Sequence, residues 1–196
     1  MLSLGNGLSM VKRLAGPSSA NPRSRGRMKT AETRSEMAEG LDFRAVIGRF
    51  VTGVTVVTCD HEGRRYGTTA SAVSSVSLSP PTVLVCMDRG SDTRSAVLAT
   101  GVFALNILHE GQEDLALGFA RKIDSKFDGI EVVRGRSGAP LLPEALGHLE
   151  CRLVDTLEAA THTILVARVE YLTGVPGRPL AHFGGDFVRL GAEHGR

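Results

Sequence analysis

No stretch of this 196-residue chain approaches the roughly 18 consecutive apolar residues of a membrane-spanning helix, and its N-terminus lacks the apolar run of a secretory signal. A cytoplasmic protein with no membrane role is expected. Basic charge is also scarce where it would matter. Residues 1–40 hold seven Lys/Arg against three Asp/Glu, and the remainder holds 16 against 18, for a net charge of +2. A nucleic-acid platform needs a basic stripe to displace counterions from phosphates, so nucleic-acid binding is excluded from the expectation. The three cysteines, Cys59, Cys86 and Cys151, show no CxxC spacing and lie in or beside apolar runs. That pattern suits buried reduced thiols, and no metal site is expected. Also missing are HExxH, GxSxG, a carboxylate pair and a GxGxxG following a strand. Zinc hydrolysis, serine hydrolysis and a Rossmann dinucleotide site therefore have no support.

Against those absences stands a change of pattern near Leu41. Residues 1–40 are rich in Ser, Gly, Pro and Arg without periodicity, as in SSANPRSRGR, and read as a disordered extension in which Met28 and Met37 offer alternative starts. The folded domain is expected over residues 41–193. Asp42 is a candidate N-cap, and Phe43, Val46, Ile47 and Phe50 follow at the spacing of a helix with one buried face. VTVVTC reads as a strand, DHEG as a turn, and YGTTASAVSSVSLSPP as a second strand paired back on the first until Pro80 and Pro81 stop the ladder. TVLVCM and VFALNIL are further strands, SDTRSAVLATG and GQEDLALGFARK are helices, and IEVV is a short strand. Two long alternating runs then flank an AATH turn, with Leu149, Cys151 and Leu153 facing one way, and LAHFGGDFVRL supplies a last strand or pair. Strands joined mainly by turns predict an antiparallel barrel.

Two segments offer anion-binding chemistry. TTAS at 68–71 combines hydroxyls with small residues that let a ligand approach the backbone, and GSDTRS at 90–95 places Ser91 and Thr93 at a helix start. Helix N-termini favour phosphate. The same residues also serve as ordinary caps and strand hydroxyls.

In order along the chain, G-x-T-A-S, S-P-P, V-L-V-C-x-D-R-x-S-x-T, F-A-x-N-I-L, F-A-x(6)-F, G-A-P-x-L and H-T-I resemble the flavin reductase-like family, over about residues 43–191. The family comprises NAD(P)H:flavin oxidoreductases that supply reduced flavin to two-component monooxygenases. The resemblance implies a mainly β FMN-binding split barrel, six-stranded, antiparallel and Greek-key, with a few flanking helices. It also implies a homodimer, FMN or FAD as flavin, NADH or NADPH as hydride donor, and an oxygenase partner served by diffusing reduced flavin.

Carried over by position, the resemblance puts Thr69, Ala70, Ser71 and Ala72 along the flavin, and Ser91 and Thr93 at its phosphate. Asn106, Phe119, Ala120 and Arg121 would lie beside the cofactor, with Ser74, Ser75 and Ser77 serving turns and packing. His162 would sit where nicotinamide arrives, and His182, Phe183, Gly184 and Gly185 would cover the nicotinamide. Asn106 reads equally well as a core residue satisfied by backbone, and His162 as a surface turn residue. The chain departs from its relatives at Thr161, where Asp is common, and at Gly184 and Phe187, where Arg and Tyr are common. No arginine therefore stands at 184 to select NADPH. The competing expectation is a flavin carrier on the same barrel without nicotinamide turnover.

Overall fold

The computed structural model describes residues 43–191, so the readings of residues 1–40 and of Asp42 as a cap lie outside the described residues. The described chain runs α1 (Phe43–Ile47), β1 (Thr52–Gly53), β2 (Thr55–His61), β3 (Arg64–Ala70), β4 (Val73–Leu78), β5 (Pro81–Asp88), α2 (Asp92–Thr100), β6 (Val102–Ile107), α3 (Glu113–Ala120), β7 (Val133–Arg134), β8 (Pro140–Leu141), β9 (Gly147–Ala159), β10 (His162–Gly174), β11 (Ala181–Phe183) and β12 (Asp186–Val188). None of its helices is long and apolar enough to cross a membrane.

Seven strands form one antiparallel ladder in the order β3-β2-β6-β9-β10-β5-β4. Its two outermost strands, β3 and β4, are consecutive in the chain and are joined by Ser71 and Ala72 alone. Two residues cannot span a flat seven-stranded sheet, since neighbouring strands lie about 4.8 Å apart. The sheet must therefore curl until its edges meet, which makes it a barrel whose edges adjoin without pairing. This is the expected mainly β split barrel. The ladder counts seven strands because the hydroxyl-rich segment, read as a single strand, is divided at Ser71-Ala72.

The β2–β3 hairpin turns at Glu62 and Gly63, both at positive φ (54° and 77°), the combination a tight two-residue hairpin turn demands. Pro80 and Pro81 do not end the ladder as expected. They turn the chain from β4 into β5, where Pro81 is the first residue of its strand and pairs with Leu78. A strand's first position tolerates the missing N–H. Ser91 caps α2, its hydroxyl accepting from the Arg94 N–H, and Gly101 closes the helix in the left-handed conformation at φ 69°.

Two apolar clusters explain why β2 is buried along most of its length. Adjacent strand residues point to opposite faces. Val57 and Cys59 enter the barrel interior with Val85, Phe103, Leu105 and Leu165, while Val56 faces a second cluster with Leu108, Phe119, Leu142 and Leu180. Cys151 lies in the first cluster with Leu149 and Leu153 packed against it, as the alternation predicts. Burial, followed by the charges of Glu150 and Glu170, pushes the Cys151 thiol up to about 12, and burial also raises Cys59. Both are poor nucleophiles. Cys86 departs from the buried expectation: it is half-buried and lines a cleft.

Helix α1 corrects the sequence reading most plainly. It is only five residues long and buries none of them among the described residues. Phe43 and Phe50 are 77% and 70% exposed, and Val46 and Ile47 are about half exposed.

The segment between β7 and β9 is pinned by a buried carboxylate. The Ser137 N–H and hydroxyl each donate to Glu150 Oε2 at 2.6 Å. Burial pushes the Glu150 carboxyl up, but these bonds, an Arg136 N–H and the Arg136 charge outweigh it and hold the group below its usual value. A carboxylate depressed on folding stabilises above its unfolded pKa, about 4.3, and the stabilisation is lost as pH falls through the folded value. Glu150→Gln should therefore lower the urea midpoint at pH 7, with the gap to wild type narrowing below about pH 4. A gap independent of pH would show that the carboxylate charge is irrelevant.

Candidate active site

Two clefts open at opposite ends of the run Thr68–Ala72. The larger, about 1470 Å³, is lined by Ser71 and Ala72, by the rim of α1 and by the β11–β12 hairpin. The smaller, about 320 Å³, is lined by Thr68, Ser91, Thr93, Ala120 and Lys126. The expected site residues thus divide into two groups linked by one strand.

His182, Phe183, Gly184 and Gly185 all line the larger cleft. Gly184 and Gly185 turn the hairpin at φ 64° and 102°, and the Gly184 N–H donates to the Gly48 carbonyl at 2.8 Å. The hairpin is thereby tied to the end of α1. An arginine at 184 would have to adopt a left-handed backbone that costs side-chain-bearing residues energy.

In the smaller cleft, the N-terminus of α2 presents Ser91 and Thr93. Thr93 is buried as a residue and lines this cleft. Lys126, which sequence reasoning missed, stands on the same cleft. Its Nζ donates to the carbonyls of Gly67 (2.9 Å) and Phe119 (3.1 Å). An ammonium has three donors, so one remains. Burial lowers the Lys126 pKa while the Asp92 carboxylate pulls it up. The sequence signal was a lysine inside F-A-x(6)-F, at a position the spacing leaves unspecified. Arg64, Arg65 and Lys122 add positive charge, although Arg64 is paired with Asp124 at 3.0 Å.

Other expected residues have different work. Asn106 is fully buried, lines neither cleft, and donates to the Val56 carbonyl (2.9 Å) and Thr58 Oγ1 (3.0 Å) while accepting from the Leu142 N–H (2.8 Å). Both amide donors are committed within the protein, so the core alternative holds for its side chain. The Phe119 ring is buried in the outer cluster, edge-to-face with Phe127 at 5.0 Å. It touches β3 so closely that a Cβ on Gly67 would lie 2.5 Å from it. Ala70 is buried in the barrel, and the Thr69 hydroxyl donates to the Ala116 carbonyl at 2.6 Å. Arg121 follows α3 and is exposed.

His162 heads β10, opposite Asp88 in the ladder, and lines neither cleft. Asp88 borders the smaller cleft. The Thr161 hydroxyl lies 2.9 Å from His162 Nδ1, so a neutral hydroxyl stands beside the ring where a carboxylate is expected in relatives.

Comparison with known proteins accords with this geometry. The reductase component of a 4-nitrophenol 4-monooxygenase/4-nitrocatechol 2-monooxygenase from Rhodococcus opacus is 44% identical over 146 residues, covering 74% of this chain and 78% of the relative. An NADH-dependent flavin reductase from a Rhodococcus species is 40% identical over 153 residues, covering 76% and 86%. A solved structure of an NADH:FAD oxidoreductase from Streptomyces globisporus, in complex with NAD and FAD fragments, matches with a TM-score of 0.72 and 37% identity, covering 84% of this chain and 96% of that one. The family model described as flavin reductase like domain matches residues 47–191, and the chain belongs to that family.

Proposed function

We propose that this protein is an NAD(P)H:flavin oxidoreductase that reduces free FMN or FAD and releases it to a partner monooxygenase. The observation that carries the reading is the pair of clefts joined by Thr68–Ala72, one at the N-terminus of α2 and the other with an apolar wall and a glycine hairpin. Ser91, Thr93 and Lys126 hold the flavin phosphate, and Thr69 to Ala72 offer backbone along the flavin. The β11–β12 hairpin and His162 orient the nicotinamide. Flavin and nicotinamide carry the hydride chemistry between them, so the protein needs only to bind and align them and exclude water.

A homodimer fits the same reading. The apolar α1 face, Leu157 near the end of β9, Leu172 near the end of β10 and Val175 just beyond it are exposed in one copy, and a second copy would cover them. The working unit is the domain from 41 to 193. Free cysteines and a need for reduced nicotinamide suit the cytoplasm.

Because Gly184 supplies no cation for a 2′-phosphate, NADH should be oxidised with a higher kcat/KM than NADPH. Steady-state assays of both donors with FMN, FAD and riboflavin supplied separately test this. Equal kcat/KM for the two donors would remove Gly184 from donor selection.

A further inference from the structure

Glu158, near the end of β9, is surrounded by partners from three segments. Its Oε1 accepts from Arg94 Nη2 (2.8 Å) and from the Thr163 hydroxyl (2.9 Å), while Oε2 pairs with Arg89 Nε (3.1 Å). Arg94 Nε also reaches Thr163 Oγ1, which is wholly buried. The two arginines flank Gly90–Thr93, the loop that starts α2. Thr163 immediately follows His162, and the Arg89 N–H donates to the Thr161 carbonyl at 3.0 Å. One carboxylate therefore grips both sides of the anion-binding loop and the head of the strand that carries His162. It also neutralises Arg89 and Arg94.

We propose that Glu158 is a positioning residue that locks the Gly90–Thr93 loop to the His162 turn, so that a flavin anchored by its phosphate and a nicotinamide met by His162 are held in a single register. The inference rests on the proposed reductase function. Glu158 touches neither reactant and acts through Arg89, Arg94 and Thr163. A carboxylate with three donors in a fixed fork orients its partners more strictly than a lone exposed ion pair.

The test is a double-mutant cycle on the full chain, reading kcat/KM for NADH with saturating FMN in wild type, Glu158→Gln, His162→Ala and the double variant. Glu158→Gln should lower kcat/KM roughly ten-fold in the wild-type background and less than about two-fold in the His162→Ala background, because coupled residues are non-additive. Glu158→Asp should recover part of the loss, and the melting temperature should move little because the side chain is half exposed. Equal fold-losses in both backgrounds would overturn the proposal and leave Glu158 a structural ion pair, with the reductase reading intact. A His162→Ala variant with unchanged kcat/KM would overturn it too, and would separately remove His162 from the nicotinamide site.

Discussion

Replacing Ser91 and Thr93 together by alanine should raise the KM for FMN by at least about 100-fold, given about 1.5–3 kcal/mol for each hydrogen bond to a charged group and a factor of ten per 1.4 kcal/mol. The KM for riboflavin should stay within a few-fold of wild type, because riboflavin has no phosphate. The comparison of flavins matters because Ser91 also caps α2. Loss of a cap costs about 1 kcal/mol whatever the ligand, and a loosened helix start would affect both flavins. Lys126→Met should act in the same direction, with a loss confined to the phosphorylated flavins. If the double substitution raises both KM values equally, the loop does not hold the phosphate.

Asn106→Ala should destabilise the protein by about 3 kcal/mol, since it strips partners from the buried Leu142 N–H, Val56 carbonyl and Thr58 hydroxyl and leaves a void. For a domain of this size that corresponds to a fall in melting temperature of about 6–12 °C. At a temperature where the variant remains folded, its KM for FMN should match wild type. Thermal melts and steady-state kinetics on one preparation check both halves. A raised KM without destabilisation would return Asn106 to the cofactor.

These two substitutions mark what could and could not be read in the sequence. The Ser91–Thr93 loop was legible because capping hydroxyls, a helix pattern and Gly101 occupy neighbouring positions in the chain. The hairpins and the long β9–β10 pair were legible for the same reason: alternation and turn residues are local. Asn106 was not, because its partners lie some 36 to 50 residues away and no local pattern says which face of a doubly covered strand it takes. Lys126 was missed because its amine is held by carbonyls of β3 and α3 that only the fold brings together. The α1 pattern misled in another way. Apolar spacing reports that a face avoids water, and it does not say whether the chain itself or a second copy covers that face. Pro81 misled because one proline chemistry serves both to end a strand and to begin one.

The account turns on flavin being a substrate that comes and goes, and anaerobic NADH oxidation by the extensively dialysed protein, with and without added FMN or FAD, measures that directly. The account predicts no oxidation without added flavin, and stoichiometric bleaching of the added flavin when NADH is present. A protein that retains one FMN through dialysis and oxidises neither NADH nor NADPH when free flavin is supplied would contradict it, and would make the barrel a flavin carrier.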